Sequence, residues 1–300
     1  MDYDSVAGFG VKGVRRAAIL VVLVGLALLS ATEVAGVGRR GLPYAGRVEK
    51  EVRSQYSHIR VRRQDSVRTL TFVRDTGEEV WETQMDLDKP HHLRFDYLRH
   101  MFLSYAFRPE HEKVLIVGLG GGSMVQFLKR YDPEVAVDAV EIDPAVVDIA
   151  DKFFGVRSEG KVTVHTADAL KFLENAETRY DVIYMDAFLK PSRATDTTGM
   201  PLHLKTVQFY RDLQKKIQPD GLVAFNLNTN PNTRADVAAI REAFANIYIF
   251  PLPGRTGCVV IASPSEKREA TTALRANAKK IDARFKADFS FESMIRRVGR

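Results

Sequence analysis

The sequence predicts an α/β protein: a doubly wound, mostly parallel sheet, with a small β-domain before it and an apolar N-terminal helix ahead of both. Three observations predict this. From Lys113 onward, short apolar β-prone runs alternate with segments of helical spacing. Across residues 53–81 the pattern is instead one of short alternating runs broken by turn residues, as in an antiparallel sheet with one wet face. Residues 17–29 form an unbroken apolar run with no polar face.

Taken in order, residues 1–16 read as a tail and 17–35 as a transmembrane or signal-anchor helix. The strictly apolar part is shorter than the ~20 residues of a spanning helix, and continuing past Glu33 to Val37 brings it to length. A cleaved signal peptide and export is the competing reading, but no clean A-x-A site follows. Arg39, Arg40, Arg47, Lys50 and Arg53 after the span outnumber Lys12, Arg15 and Arg16 before it. The chain is therefore expected to be membrane-anchored and single-pass, with a cytoplasmic catalytic domain. Residues 36–52, rich in Gly and Arg, read as a linker.

Residues 53–110 are expected to form the small β-domain and a helix, with strands near 58–63, 67–73 and 80–83 and a turn at Asp75-Thr76-Gly77. The helix covers 93–107. Residues 111–264 form the main domain, with strands near 113–118, 136–142, 161–167, 180–186, 221–227, 247–252 and 257–263. Helices fall near 122–131, 144–154, 169–175, 204–217 and 233–245. Only Pro253 to Thr256 separates the last two strands, too little for a helical crossover, so they pair antiparallel. A parallel sheet ending in such a hairpin is the class I methyltransferase-type variant of the Rossmann-like fold. Residues 265–300 read as a basic C-terminal helical tail, with 266–286 a solvated surface helix and contact with anionic lipid the sharper reading.

Composition narrows the function. The chain is 45% hydrophobic and 27% charged, ordinary for a globular protein. Net charge is +6, and residues 265–300 hold ten Lys/Arg against five Asp/Glu, so +5 lies in the tail and no nucleic-acid partner is expected. Cys258 is the only cysteine, which excludes an internal disulfide and a cysteine-based zinc site. His91, His92 and His100 lack the spacing of metal ligands, so no metal is expected.

The chemistry centres on Val114 to Ser123, VLIVGLGGGS: a buried strand, a glycine turn and a helix start. Gly118, Gly120 and Gly122 let backbone approach a ligand at a helix N-terminus. The next strand ends in Glu141, about 20 residues past the turn, where a carboxylate can accept hydrogen bonds from both ribose hydroxyls. By themselves these features fit a dinucleotide or an adenosyl-sulfonium ligand. Ligands of open α/β sheets lie at the carboxyl ends of the strands, and two further strands end in Asp168 and Asp186. A helix N-cap explains Asp168 alone, but not the whole row.

At these motifs the chain resembles the spermidine synthases (polyamine aminopropyltransferases), and within them the bacterial spermidine-synthase-like branch with an N-terminal membrane segment. The resemblance covers roughly residues 54–263 and rests on VLIVGLGGGS, VEIDP, HTADA, YDVIYMDAF, and Met85-Asp-Leu-Asp-Lys-Pro90 followed by Phe95-Asp-Tyr97. It implies that Gly118, Gly120 and Gly122 pack against the nucleoside and its thioether, that Glu141 holds the ribose, and that Asp168, with Ala169 beside it, bonds the adenine amino group. It makes Asp186 the catalytic aspartate. A carboxylate there can orient an attacking amine, take its proton and favour the cationic sulfonium. Tyr56, Tyr97 and His203 are acceptor or lid candidates.

The chain also departs from the family pattern. The acid of the family's G-G-G-D-G-G loop aligns with Gly121, and the second acid of its D-S-S-D motif aligns with Leu189. Its Y-Q-x-I is Tyr56-Ser57-His58-Ile59, and its Y-[QH]-E is Tyr97-Leu98-Arg99. The nucleoside half of the site is intact and the acceptor half is altered. The expected activity is transfer of an aminopropyl group from decarboxylated S-adenosylmethionine to a small-molecule amine, as in polyamine biosynthesis. Two alternatives remain at this point: a methyltransferase using S-adenosylmethionine itself, and a membrane-tethered nucleoside binder without turnover. A homodimer is left open.

Overall fold

The computed structural model describes residues 46–296. The tail 1–16, the predicted anchor 17–35 and the start of the linker lie outside the described residues. Among the described residues no helix is long and apolar enough to cross a membrane.

The first sheet has four antiparallel strands in sequential order: β1 (Arg47–Arg53), β2 (His58–Gln64), β3 (Val67–Val73) and β4 (Glu79–Asp86). β1 occupies residues that the sequence reading gave to the linker. Its seven residues, RVEKEVR, carry too little apolar alternation to announce a strand, and pairing with β2 makes one of it. Ile59, Val61, Leu70, Phe72 and Met85 form the dry face. The opposite face is stitched by charge: buried Glu79 takes Arg60 and Arg62 together, and it also accepts from Thr71 Oγ1 at 3.1 Å.

The single helix expected over 93–107 is two short ones, α1 (Asp96–Met101) and α2 (Ser104–Phe107). Phe102, between them, stacks on Phe127 with ring centroids 4.3 Å apart and meets Tyr184 edge-on at 5.4 Å. Burying such aromatic rings contributes about 2–3 kcal/mol each.

The main sheet has seven strands: β5 (Lys113–Val117), β6 (Ala136–Glu141), β7 (Val162–Thr166), β8 (Tyr180–Met185), β9 (Ile217–Asn228), β10 (Asn246–Pro251) and β11 (Gly257–Ser263). Their order is β10-β11-β9-β8-β5-β6-β7. β7 through β9 run parallel across the sheet, while β11 lies antiparallel between β9 and β10, as the short connection requires. Helices α3 (Ser123–Tyr131), α4 (Pro144–Phe154), α5 (Ala169–Asn175), α6 (Val207–Gln214) and α7 (Thr233–Ala243) follow the strands. Apolar clusters cover both faces of this sheet, which is why its central strands read as continuous hydrophobic runs.

The C-terminal helix α8 (Thr271–Phe285) is not simply a solvated surface helix. Leu274, Ala278, Ile281 and Phe285 enter the main core, and α9 (Phe291–Ile295) adds Phe291 and Ile295. Arg284 ties α8 to the body through Asp132 at 2.6 Å. The basic residues lie on the remaining face, and their number in the sequence hides the apolar stripe.

Candidate active site

The chain leaves β5 toward β6 and β7 on one side, then returns to β8 on the other. That reversal opens a crevice at the carboxyl ends of the strands. A cavity there is lined by the glycine turn, Glu141, Asp168, Ala169, Asp186 and His203, with Glu82, Thr83 and Tyr97 closing it from the side of the small sheet.

The glycine turn has a steric reason. Gly118 has φ +95°, and a Cβ there would lie 2.2 Å from the Asp186 carbonyl oxygen. The two strand ends can lie this close only without a side chain. Gly122 opens α3 at φ +75° against Val156. At Gly121 a Cβ would lie 2.7 Å from Thr83 and 3.0 Å from Phe154, so the place where the resembling family carries an acid is filled here by packing. Thr83 Oγ1 also accepts the Gly121 N–H at 2.8 Å, which fixes the loop to β4.

Glu141 is buried and accepts two backbone N–H bonds of 3.0 Å, from Leu119 and from Asp143. Burial pushes its carboxyl upward, and these bonds oppose that shift. These bonds engage both oxygens of Glu141 from the backbone. Asp168 is the N-cap of α5: its Oδ1 accepts from Leu170 at 2.9 Å and Lys171 at 3.2 Å, which leaves Oδ2 outside the cap. The helix cap uses one oxygen of Asp168, and the residue also lines the cavity.

Asp186 closes the row one residue beyond β8. Its backbone N–H bonds Val117 and its Oδ1 accepts from Asn226 Nδ2 at 2.9 Å, with the Tyr97 hydroxyl as a second donor. Burial pushes this carboxyl up to about 7, against the pull of both donors. A carboxyl poised near neutrality can hold an ammonium or take its proton.

Of the acceptor and lid candidates, Tyr97 and His203 line the cavity, and Tyr56 lines neither this cavity nor the one beside it. Tyr56 sits instead in the turn before β2, where its N–H bonds Ser54 Oγ; the Ser54 hydroxyl in turn donates to Asp143 at 2.5 Å. The segment after β8 is held by half-buried Lys205, which joins Asp196 at 2.6 Å and Asp236 at 2.7 Å. Sequence reasoning missed Glu82, Thr83 and Asn226. All three lie in strands, and no spacing rule marks them.

The Rossmann-like sheet thus gathers a glycine turn and three carboxylates at its strand ends around one cavity. Residues 96–260 match the model of the spermine/spermidine synthase domain, and the chain belongs to that family. It is 32% identical to the polyamine aminopropyltransferase of Vibrio vulnificus over 71% of this chain and 70% of that one. Its fold matches the spermidine synthase of Thermotoga maritima at a TM-score of 0.61, with 17% identity and coverage of 85% and 84%. It is also 28% identical to the eEF1A lysine and N-terminal methyltransferase of Xenopus laevis over 58% of this chain and 26% of that protein.

Proposed function

We infer that the protein transfers an aminopropyl group from decarboxylated S-adenosylmethionine to an amine acceptor, a reaction of polyamine biosynthesis. The observation that carries this reading is Asp186: a half-buried carboxylate facing the cavity at the end of β8, braced by Asn226 and Tyr97, in a chain of the spermidine synthase family. The acceptor enters as an ammonium and gives its proton to Asp186. Its nitrogen lone pair then attacks the carbon bonded to the sulfonium, an N–C bond forms, and the C–S bond breaks with its electron pair going to sulfur. The products are an alkylated ammonium and a neutral thioether. Glu141 would hold the ribose hydroxyls, and Asp168 and Ala169 the adenine. Gly118, Gly120 and Gly122 would let the backbone meet the nucleoside.

Methyl transfer from S-adenosylmethionine is the second reading. It draws support from the similarity to a lysine and N-terminal methyltransferase and from Gly121, where the absence of an acid removes a repulsion against the donor's own carboxylate. Mass spectrometry of 1,4-diaminobutane incubated with the full chain and each donor separates the two. An added three-carbon amine is the expected product, and a methyl group alone would give the chain to the second reading.

Residues 17–35 are proposed to anchor the chain to a membrane, with the catalytic domain on the cytoplasmic side where the donor is made. The support is the apolar run and the basic residues after it. Retention in the membrane fraction after alkaline carbonate washing is the expected result, and release would remove the anchor.

A further inference from the structure

The reading above leaves the acceptor half of the site short of the two acids absent at positions 121 and 189. The fold supplies another from a place the motifs do not cover. Along β3 and β4, Leu70 faces Thr83 and Thr71 faces Trp81, so Glu82 is the extra residue of a β-bulge. A regular strand points consecutive side chains to opposite faces, whereas a bulge re-aims one of them. Here Glu82 and Thr83 both reach the cavity that holds Asp186.

Glu82 also lines a second cavity, which adjoins the first through Tyr97 and Phe188 and runs away from the glycine turn past Trp81, Phe95 and Asn228. Neither cavity has a lysine or arginine on its wall among the described residues. Among the described residues no hydrogen bond or ion pair engages the Glu82 side chain. A second, independent group lacks a partner beside it. Asn226 is 2% exposed and lines the second cavity; its Nδ2 donates to Asp186, and its Oδ1 is buried without a hydrogen bond. Because a carboxylate accepts, the amide is oriented with its oxygen left over. Around the two adjoining cavities stand three acceptors, the Glu82 carboxylate and Asp186 on the first and Asn226 Oδ1 beside the second, while the Tyr97 hydroxyl and Asn226 Nδ2 are both spent on Asp186. A primary alkylammonium carries three N–H donors and a positive charge.

We propose that Glu82 is the specificity-determining carboxylate of this chain's acceptor site, holding the reacting primary ammonium together with Asn226 Oδ1 and Asp186. This rests on the amine-acceptor reading given above and assigns it a residue. The electrostatics agree with the geometry. Glu82 faces Asp186, Glu141 and Tyr97 across the cavity and Arg74 from the turn behind it, and Arg74 is itself paired with Glu78 at 3.5 Å. Burial first, then Asp186 and Glu141, push the Glu82 carboxyl up to about 8. These effects favour the protonated form of the ligand-free side chain, and an arriving ammonium would displace that proton.

The test is calorimetric titration of the full chain, saturated with 5′-methylthioadenosine, with 1,4-diaminobutane and with n-butylamine. It is run at pH 7 in two buffers of different ionisation enthalpy. Amine binding should release protons; Glu82→Gln should weaken it at least thirtyfold and remove most of the release. Glu82→Asp should restore part of the affinity, and nucleoside binding should stay the same in both variants. Equal amine affinity and equal proton release in Glu82→Gln overturn the inference. So does the absence of amine binding to the wild type. The transfer assay decides the underlying reading separately. Aminopropyl transfer with an unchanged amine KM in Glu82→Gln would leave the function standing and remove Glu82 from it. Glu82-dependent amine binding without transfer would do the reverse.

Discussion

The two halves of the site are built differently. The half proposed to hold the nucleoside is made by one sheet from residues within about a turn of the strand ends: the glycine turn after β5, Glu141 at the end of β6 and Asp168 at the start of α5. Its key groups are fixed by backbone, as with the two N–H bonds to Glu141 and the two to Asp168. The half proposed to hold the acceptor is assembled across the molecule, with Glu82 from β4, Tyr97 from α1, Asp186 from the end of β8 and Asn226 from β9. Asp186 is held there by the side chains of Asn226 and Tyr97, and Asn226 Oδ1 is left without a hydrogen bond. A half that reads a constant nucleoside gains from backbone rigidity. A half that reads a variable acceptor can change through single side chains without disturbing the strand ends.

The sharpest way to break this comparison is at Asp186. Asp186→Asn keeps the shape and the Tyr97 and Asn226 neighbours but removes the proton acceptor. Turnover should fall by about a thousandfold with nucleoside affinity nearly unchanged. Steady-state rates with parallel binding titrations check this, and wild-type turnover would sink the catalytic role.

A change of intermediate size is expected from the other half. Glu141→Ala removes the charge-assisted bonds proposed to the ribose, about 1.5–3 kcal/mol, or ~10- to 150-fold in affinity for any adenosyl donor. Amine binding should change far less, and a loss shared equally by both ligands would show that the halves are not separable.

The smallest effect concerns stability. Asp186 and Glu82 have folded-state values of about 7 and about 8 against ordinary values of 3.8 and 4.5. The folded chain therefore binds more protons than the unfolded chain between pH ~4 and ~8, and ligand-free stability should fall as pH rises through that window. Glu82→Gln should flatten the upper part of this fall and stabilise the ligand-free protein at pH 9 by about 1–3 kcal/mol, once relaxation and water entry are allowed for. Chemical denaturation at pH 5, 7 and 9 measures it. A wild-type profile that is flat over this range would mean that the two carboxyls are better solvated than the geometry implies.

What the sequence by itself determined is local. Alternation at period two and spacing at 3.6 residues placed the strands and helices of the main sheet within a few residues. The short link before β11 set the antiparallel hairpin, and acids at strand ends placed Glu141, Asp168 and Asp186 together, because a parallel sheet gathers its carboxyl ends on one edge. What only the tertiary structure decided needs a neighbour. β1 is a strand because β2 pairs with it, and α8 enters the core because its four apolar residues find the main cluster. Tyr56 falls outside the cavity because the turn before β2 is tied to Asp143 through Ser54. Glu82 reaches the site because β4 is bulged against β3 at that one residue. Register is a relation between two strands, and neither strand's sequence states it alone.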